Sequence, residues 1–538
     1  MCGIFCLIQC GGKPIKQEQA EQCLDQLTPR GPDKKTSSII KVNEKVEVFL
    51  GFTRLAIRDT SDSGQQPFKR GEKYVICNGE IYNYLALANK YKVELQSHCD
   101  CEVILPLYEK VGMYDMVKSE FDAEFAMVLL DAAKIYAARD KYGVRPLYYG
   151  YNETTQTIGF ASELKALHPV MEYVYQVKPN KIVEIDLNSE DPCMQSKIKF
   201  TRYHKYSTPI LSPFRNKDII HEKIRILLSE AVKKRLDSDR PIGFLLSGGL
   251  DSSLIVAIAT ELLGPENIVC FSIGLPGSPD VEAAKKVVKH LQIKQHHLVP
   301  FSIEEGIRIL REVIFILGTY DITTIRASTP QYLIAKFIAE HTEIKVILSG
   351  EGSDEISAGY KYFRSAPDAA ALQRERVRLL KELYMFDNKR SDRTMAQAGL
   401  ELRVPFLDHA YVDFILSIDP SLLMYRDNAI EKQIVRDSFK GYLPDEILYR
   451  PKEAFSDAVS SKEVNWYQSI AKHAEETISD AELENNPFTF NKPPSKEALY
   501  YRRIFSEFYP NRDDVLIHYW MPRFQGERKI TDPSATIL

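Results

Sequence analysis

An α+β sandwich followed by an α/β domain with a doubly wound parallel sheet and a helical C-terminal part is the fold class that the sequence predicts. Three observations carry this. Short strand-like runs crowd the first 190 residues, a proline-bearing stretch of little periodicity fills 188–217, and strands alternate with helices beyond it.

In the first part, Val46–Phe52, Tyr74–Cys77, Phe125–Leu130, Ile135–Ala138, Ile158–Ala161 and Ile182–Ile185 are short apolar or alternating runs. Turn residues such as Lys141-Tyr142-Gly143 separate them, and helices are expected over Gln17–Leu27 and about Cys101–Val111. Past the boundary, Ile220, Ile224, Leu227, Leu228, Ala231 and Val232 fall on one helical face. A buried strand over Pro241–Leu246 follows, then helix Leu254–Leu263, strand Ile268–Ile273, helices Val281–Leu291 and Ile303–Leu317, and strand Lys345–Leu348. Such alternation implies crossover units. From about residue 370 the chain reads as mainly helical, and after Arg523 as a polar tail. The expected domains are 2–190 and 215–525.

Composition narrows the function classes. The 538 residues include 70 Lys+Arg and 74 Asp+Glu, a net charge of -4, with 44% hydrophobic and 27% charged residues. That is the make-up of a soluble globular chain with more than one core. The charge balance argues against a dedicated nucleic-acid binder. No apolar run approaches the roughly 20 residues that span a bilayer, so no membrane partner is expected. The N-terminal apolar run lacks a basic region, and no signal peptide is expected. Of nine cysteines, eight lie between Cys2 and Cys193, unevenly spaced, as in a reduced cytoplasmic protein.

The strand ending at Leu246 runs into Ser247-Gly248-Gly249-Leu250-Asp251-Ser252-Ser253, with a helix expected from about Ser252. Two glycines admit an anion to the backbone, and the hydroxyls of Ser247, Ser252 and Ser253 donate to it. The helix start completes the cradle, and Asp251 offers a carboxylate to a divalent cation. A second loop, Ser349-Gly350-Glu351-Gly352-Ser353-Asp354-Glu355, follows another parallel strand, on the edge where open α/β sheets bind ligands. Neither a Walker A loop nor a dinucleotide fingerprint is present.

Cys2 would become the N-terminal residue if Met1 is removed, placing a thiol beside a free α-amine, and both titrate near neutral pH. Asn78-Gly79 offers a side-chain amide and a backbone N–H to an oxyanion. Taken singly, Cys2 could be an inert thiol and Asn78-Gly79 a hairpin turn.

The loop at 247–253 resembles the pyrophosphate loop of ATP pyrophosphatases. Cys2-Gly3-Ile4, Arg30-Gly31-Pro32-Asp33, Gly51–Ile57, Asn78-Gly79-Glu80-Ile81-Tyr82-Asn83, Arg139–Leu147 and Phe160–Lys165 resemble the ordered motifs of class II glutamine amidotransferases. These are N-terminal-nucleophile hydrolases with an αββα sandwich. Thr319–Pro330, Leu402–Asp408, Arg450–Asp457, Tyr519–Arg523 and Asp532-Pro533-Ser534 extend the likeness to glutamine-hydrolysing asparagine synthetases over nearly the whole chain.

The resemblance implies that ATP converts aspartate to a β-aspartyl adenylate with loss of pyrophosphate, and that Cys2 releases ammonia from glutamine to capture it. It implies glutamine binding by Arg54, Leu55, Ile57, Asn78, Gly79, Glu80 and Asp100, with Arg54 on the α-carboxylate. Leu246, Ser247, Gly248, Gly249, Asp251, Ser252, Ser253, Ile273, Ser349 and Gly350 would bind ATP. Thr323, Thr324 and Arg326 would lie on the aspartate side. Asp251 and Asp354 would hold Mg²⁺, Lys452 would offset phosphate charge, and Glu351 would assist at the adenylate. The expected small-molecule partners are glutamine, aspartate and ATP, and a homodimer is left open.

His98, Cys99 and Cys101 flank Asp100, but no second ligand cluster pairs with them in sequence. The eight cysteines other than Cys2 are therefore expected to be packing residues. Two departures stand out: Ile356-Ser357-Ala358-Gly359 where the family has an apolar residue, an aromatic and two glycines, and Pro451 and Ala454 where it has glutamine. Neither removes a proposed catalytic group. A β-lactam synthetase-like enzyme is disfavoured by Cys2 with Asn78, and a catalytically silent sensor rests only on the 356–358 departure.

Overall fold

The computed structural model describes residues 1–206, 215–425, 429–452, 460 and 465–524. The linker residues 207–214, the motif positions 453–457, the tail and the segment 532–534 lie outside them. The chain forms two compact units, Met1–Lys205 with Met395–Glu401, and Tyr206–Thr394 with Leu402–Leu538. No helix among the described residues is long and apolar enough to cross a membrane.

The first unit holds two six-stranded antiparallel sheets. One runs, in spatial order, Tyr173–Gln176, Tyr148–Asn152, Thr157–Ala161, Gly3–Gln9, Glu47–Arg54, Lys34–Lys41. The other runs Lys199–Arg202, Lys181–Asp186, Lys134–Arg139, Ala123–Asp131, Lys73–Ile81, Phe68–Arg70. Ile4, Cys6, Ile8, Leu50, Val128 and Ile158 meet in the core that the sheets share. Helices Gln17–Asp25 and Leu164–Leu167 lie on the first sheet, and Ile104–Asp115 covers the second. This is the four-layer αββα sandwich. Strand Gly3–Gln9, buried at all seven positions and central in its sheet, sets Cys2 at the sheet's end.

Met395–Glu401 belongs to this unit although it is remote in sequence. The Met1 amine donates to Leu400 O at 3.2 Å, and Lys165 Nζ to Gln397 Oε1 at 2.9 Å.

The second unit carries a sheet ordered Gln295–Pro300, Val269–Gly274, Ile242–Leu245, Val346–Leu348, these four strands parallel, with Leu402 and Arg403 of strand Glu401–Arg403 at its edge. Chain order reverses between Ile242–Leu245 and Val346–Leu348, so a switch point opens at their C-terminal ends. Helix Leu250–Leu263 is buried continuously from Leu250 to Ala259. It begins at Leu250, capped by Gly249, two residues before the expected start. Helix Ile322–His341 was not expected. Pro330 and four Thr or Ser residues mask its period, and burial on most sides leaves no amphipathic stripe to read. Beyond residue 365 the unit is mainly helical, including Ala369–Glu382, His409–Ser417 and Lys496–Phe508.

Asp408 caps helix His409–Ser417, accepting from the Ala410 and Tyr411 N–H groups. Burial opposes its charge, but Arg235 and Lys234 outweigh burial and hold its pKa at about 2. Because the folded pKa is depressed, the stabilisation is present above the unfolded value near 3.8 and is lost as pH falls through about 2. Wild type is expected to lose about 2 kcal/mol between pH 4 and 2 that Asp408→Asn does not lose, as read by urea unfolding. Asparagine keeps the cap.

The 356–359 departure has a backbone cost. Ala358 sits at φ +55°, the left-handed region that glycine tolerates and an L-residue does not. Ala358→Gly relieves about 1–2 kcal/mol of strain, part of it returned as chain entropy. We expect the melting temperature of this unit to rise by about 2 °C.

Candidate active sites

Cys2, Arg54, Leu55, Ile57, Asn78, Gly79, Glu80 and Asp100 line one pocket of the first unit, of about 30 Å³. Cys2 donates from Sγ to Leu55 O at 3.7 Å, and Arg30, paired with Glu163, holds Cys2 O at 2.9 Å. Met1 is fully buried next to it. While Met1 remains, burial draws the terminal amine down to about 5 and pushes the Cys2 thiol up to about 11, against the pull of that amine. In the unprocessed chain the thiol is therefore held in its protonated form.

Asn78 and Gly79 lie within strand Lys73–Ile81, not in a turn. Asn78 Nδ2 is buried and donates to nothing among the described residues, an orphan at the pocket wall. A buried amide donor without an acceptor costs about 1–3 kcal/mol, which a developing oxyanion would recover. A Cβ on Gly79 would collide with the paired strand, 2.7 Å from Phe125 Cα, so only glycine fits this close approach.

The Arg54 guanidinium is held by the carbonyls of Arg58, Asp59 and Ser61, the last at 2.5 Å, so it braces the loop beneath the pocket. Glu80 pairs with Arg58 at 3.3 Å, and Asp100 accepts from the Ile81 N–H at 2.6 Å. Arg58 and Glu401, which also line the pocket, were missed. Arg58 is one residue beyond the Gly51–Ile57 motif; Glu401 arrives from about 400 residues away and has no local signal. Cys77, Cys99 and Cys101 pack in the core beneath the second sheet, as expected, and also line the pocket.

In the second unit, a cleft of about 210 Å³ opens at the switch point. Leu246, Ser247, Gly249, Asp251, Ser252, Ile273, Ser349 and Gly350 line it, as do Thr323, Thr324, Glu351, Asp354 and Lys452. The two loops touch: a Cβ on Gly350 would lie 2.7 Å from the Ser252 N. Ser247 and Ser252 hydroxyls bond at 3.0 Å, and Ser247 Oγ accepts from Gly249 N at 3.3 Å. Arg450 tethers the loop, donating to Gly248 O at 3.3 Å and pairing with Asp280 at 2.7 Å.

Three expected residues fall outside the cleft lining. Gly248 turns away at φ +75° against helix Pro279–His290. Ser253 is fully buried inside its helix. Arg326 is committed to Glu497 through two bonds of 2.8 and 2.6 Å, a buried bidentate pair that locks helices Ile322–His341 and Lys496–Phe508 together. Thr323 and Thr324 instead sit on the first helical turn, bonded to the capping Asp321.

Charge is arranged tightly here. Lys432, unforeseen from sequence, has its Nζ at 2.8 and 2.7 Å from the Asp251 oxygens and 2.7 Å from Asp354 Oδ1. Lys452 Nζ takes the other Asp354 oxygen at 2.7 Å. Burial alone would raise the Asp354 pKa, but the two ammonium groups draw it far below the carboxylate range. Burial likewise opposes the Lys452 charge, and Asp354 with Asp251 overcomes it. Burial raises the Glu351 carboxyl, while Arg390, at 2.6 Å, pulls the other way.

A cysteine at the N-terminal end of an αββα sandwich and an anion cradle at a parallel-sheet switch point together define a glutamine amidotransferase joined to an ATP-using synthetase. The comparisons agree. The glutamine amidotransferase domain family matches residues 1–207, and the asparagine synthase family matches 223–370 and 364–530. A protein of Acanthamoeba polyphaga mimivirus described as "Probable asparagine synthetase (glutamine-hydrolyzing)" is 60% identical over 551 residues, covering 100% of both chains. The glutamine-hydrolysing asparagine synthetases of Rattus norvegicus and Homo sapiens are each 41% identical, covering 100% of this chain and 98% of theirs. The chain belongs to the glutamine-hydrolysing asparagine synthetase family.

Proposed function

We propose that this chain makes L-asparagine from L-aspartate in the cytoplasm, taking nitrogen from glutamine and driving force from ATP. The observation that carries the reading of the first site is the orphaned Asn78 Nδ2, buried in the pocket that Cys2 lines. After Met1 is removed, the Cys2 amine takes the thiol proton and the thiolate attacks the glutamine carboxamide. Asn78 Nδ2 and the Gly79 N–H donate to the oxyanion, ammonia leaves, and water releases glutamate. Glu80 and Asp100 meet the α-ammonium group of glutamine, and Arg54 keeps the pocket floor in place.

At the second site, an aspartate β-carboxylate oxygen attacks the ATP α-phosphorus and pyrophosphate departs. Ser247, Gly249, Ser252 and the N-terminus of helix Leu250–Leu263 donate to the phosphates, and Lys452 offsets their charge. Glu351 accepts a proton as ammonia adds to the adenylate. Asp251 and Asp354 have the hard oxygen donors that Mg²⁺ prefers, and both reach one cation in this structure, the Lys432 ammonium. They would hold Mg²⁺, which would neutralise phosphate charge when bound.

The test supplies ATP, Mg²⁺ and aspartate with either glutamine or ammonia, and follows AMP, pyrophosphate and asparagine. Aspartate-dependent pyrophosphate with ammonia is the expected result, and its absence sinks the reading. Sedimentation of the processed chain tests whether it assembles as a homodimer.

A further inference from the structure

Cys77, Cys99 and Cys101 are all buried free thiols on the wall of the glutamine pocket. Cys99 and Cys101 flank Asp100 in the single turn Asp100–Val103, and Cys77 comes from strand Lys73–Ile81. The fold brings the two segments together, with Cys101 Sγ 3.8 Å from Gly79 O on that strand.

The donor atoms of Cys99, Asp100 and Cys101 lie within 4.8 Å of one another. Cys99 Sγ is 3.9 Å from one Asp100 oxygen and Cys101 Sγ 3.7 Å from the other. A tetrahedral ion with sulfur at about 2.3 Å and oxygen at about 2.0–2.2 Å spaces its donors roughly 3.5–3.8 Å apart. Thiols are weak donors to a carboxylate, and thiolates are strong ligands to a soft or borderline ion. Magnesium or calcium, which take oxygen ligands, do not suit this set.

We propose that Cys99, Asp100 and Cys101 bind a thiophilic ion of the Zn²⁺ type, and that the bound ion blocks glutamine use. The second half rests on the reading of this pocket as the glutamine site. An ion held by Asp100 removes the carboxylate that meets the α-ammonium of glutamine and places positive charge where that group must sit. The nucleotide cleft contains no part of this cluster, so synthesis from free ammonia continues.

Zn²⁺ is the probe, applied to full-length enzyme kept reduced. Cys2→Ala protein, which removes the nucleophile as a ligand, is expected to retain one ion per chain after dialysis. With Cd²⁺ in its place, a thiolate-to-metal charge-transfer absorption should appear. Cys99→Ser/Cys101→Ser should lose both signals. Unchanged binding in the double variant, or no charge-transfer band, overturns the site. If the double variant does not fold, by melting and ammonia-dependent activity, Cys101→Ala alone takes its place.

In enzyme with Cys2 intact, Zn²⁺ should suppress glutamine hydrolysis while ammonia-dependent synthesis persists, and the variant lacking both thiols should resist. Equal suppression of both activities overturns the inhibitory role. Metal stoichiometry and absorption need no turnover. A chain that makes no asparagine would therefore sink the proposed function and leave the metal result standing.

Discussion

Cys2→Ala is expected to abolish glutamine-dependent asparagine formation, by on the order of 10⁴–10⁶-fold, the loss seen when a catalytic nucleophile is removed. Synthesis from ammonia should stay within a few-fold of wild type. The reason is geometric, since Cys2 lines the pocket of the first unit and the synthetase cleft is lined wholly by the second. Assays with each nitrogen donor, together with the mass of the N-terminal peptide, check it. The mass matters because retained Met1 should mimic the substitution: its buried amine sits near pKa 5 and leaves the Cys2 thiol protonated at about 11. Equal loss with both donors would overturn the division of labour.

Lys452→Met should have the opposite reach. Its ammonium, 2.7 Å from Asp354, is the group proposed to offset charge on the reacting phosphates. Removing it should cut pyrophosphate release by about 10²–10³-fold with either nitrogen donor, the usual cost of losing one preorganised charge donor. Glutamine hydrolysis should remain. Asp354 keeps Lys432 as partner, so the variant is expected to fold. Pyrophosphate and glutamate measured in the same reaction separate the two effects, and parallel loss of both would refute the assignment.

Residues whose role depends on a short local motif were legible. Ser247-Gly248-Gly249-Leu250-Asp251 declares a turn into a helix, and the structure puts Ser247, Gly249 and Asp251 on the cleft. Even there, the local motif did not reveal that Ser253 is fully buried and off the cleft lining. What stayed hidden is non-local. Lys432 reaches two carboxylates 181 and 78 residues away, and nothing in its own neighbourhood signals that. The buried pair of Arg326 with Glu497 was equally hidden, since the two lie 171 residues apart. Strand Gly3–Gln9 also escaped, since a strand buried on both faces shows no alternation to read.

The placement of Met395–Glu401 bears on how the gene can be cut. A fragment ending at Lys205 would look like a complete amidotransferase by family match, yet it would lack Glu401 from its pocket and the carbonyl that receives its terminal amine. The two activities are thus written as separable blocks in sequence but not as interchangeable cassettes, and a transplanted first block must carry a replacement for seven residues encoded in the second.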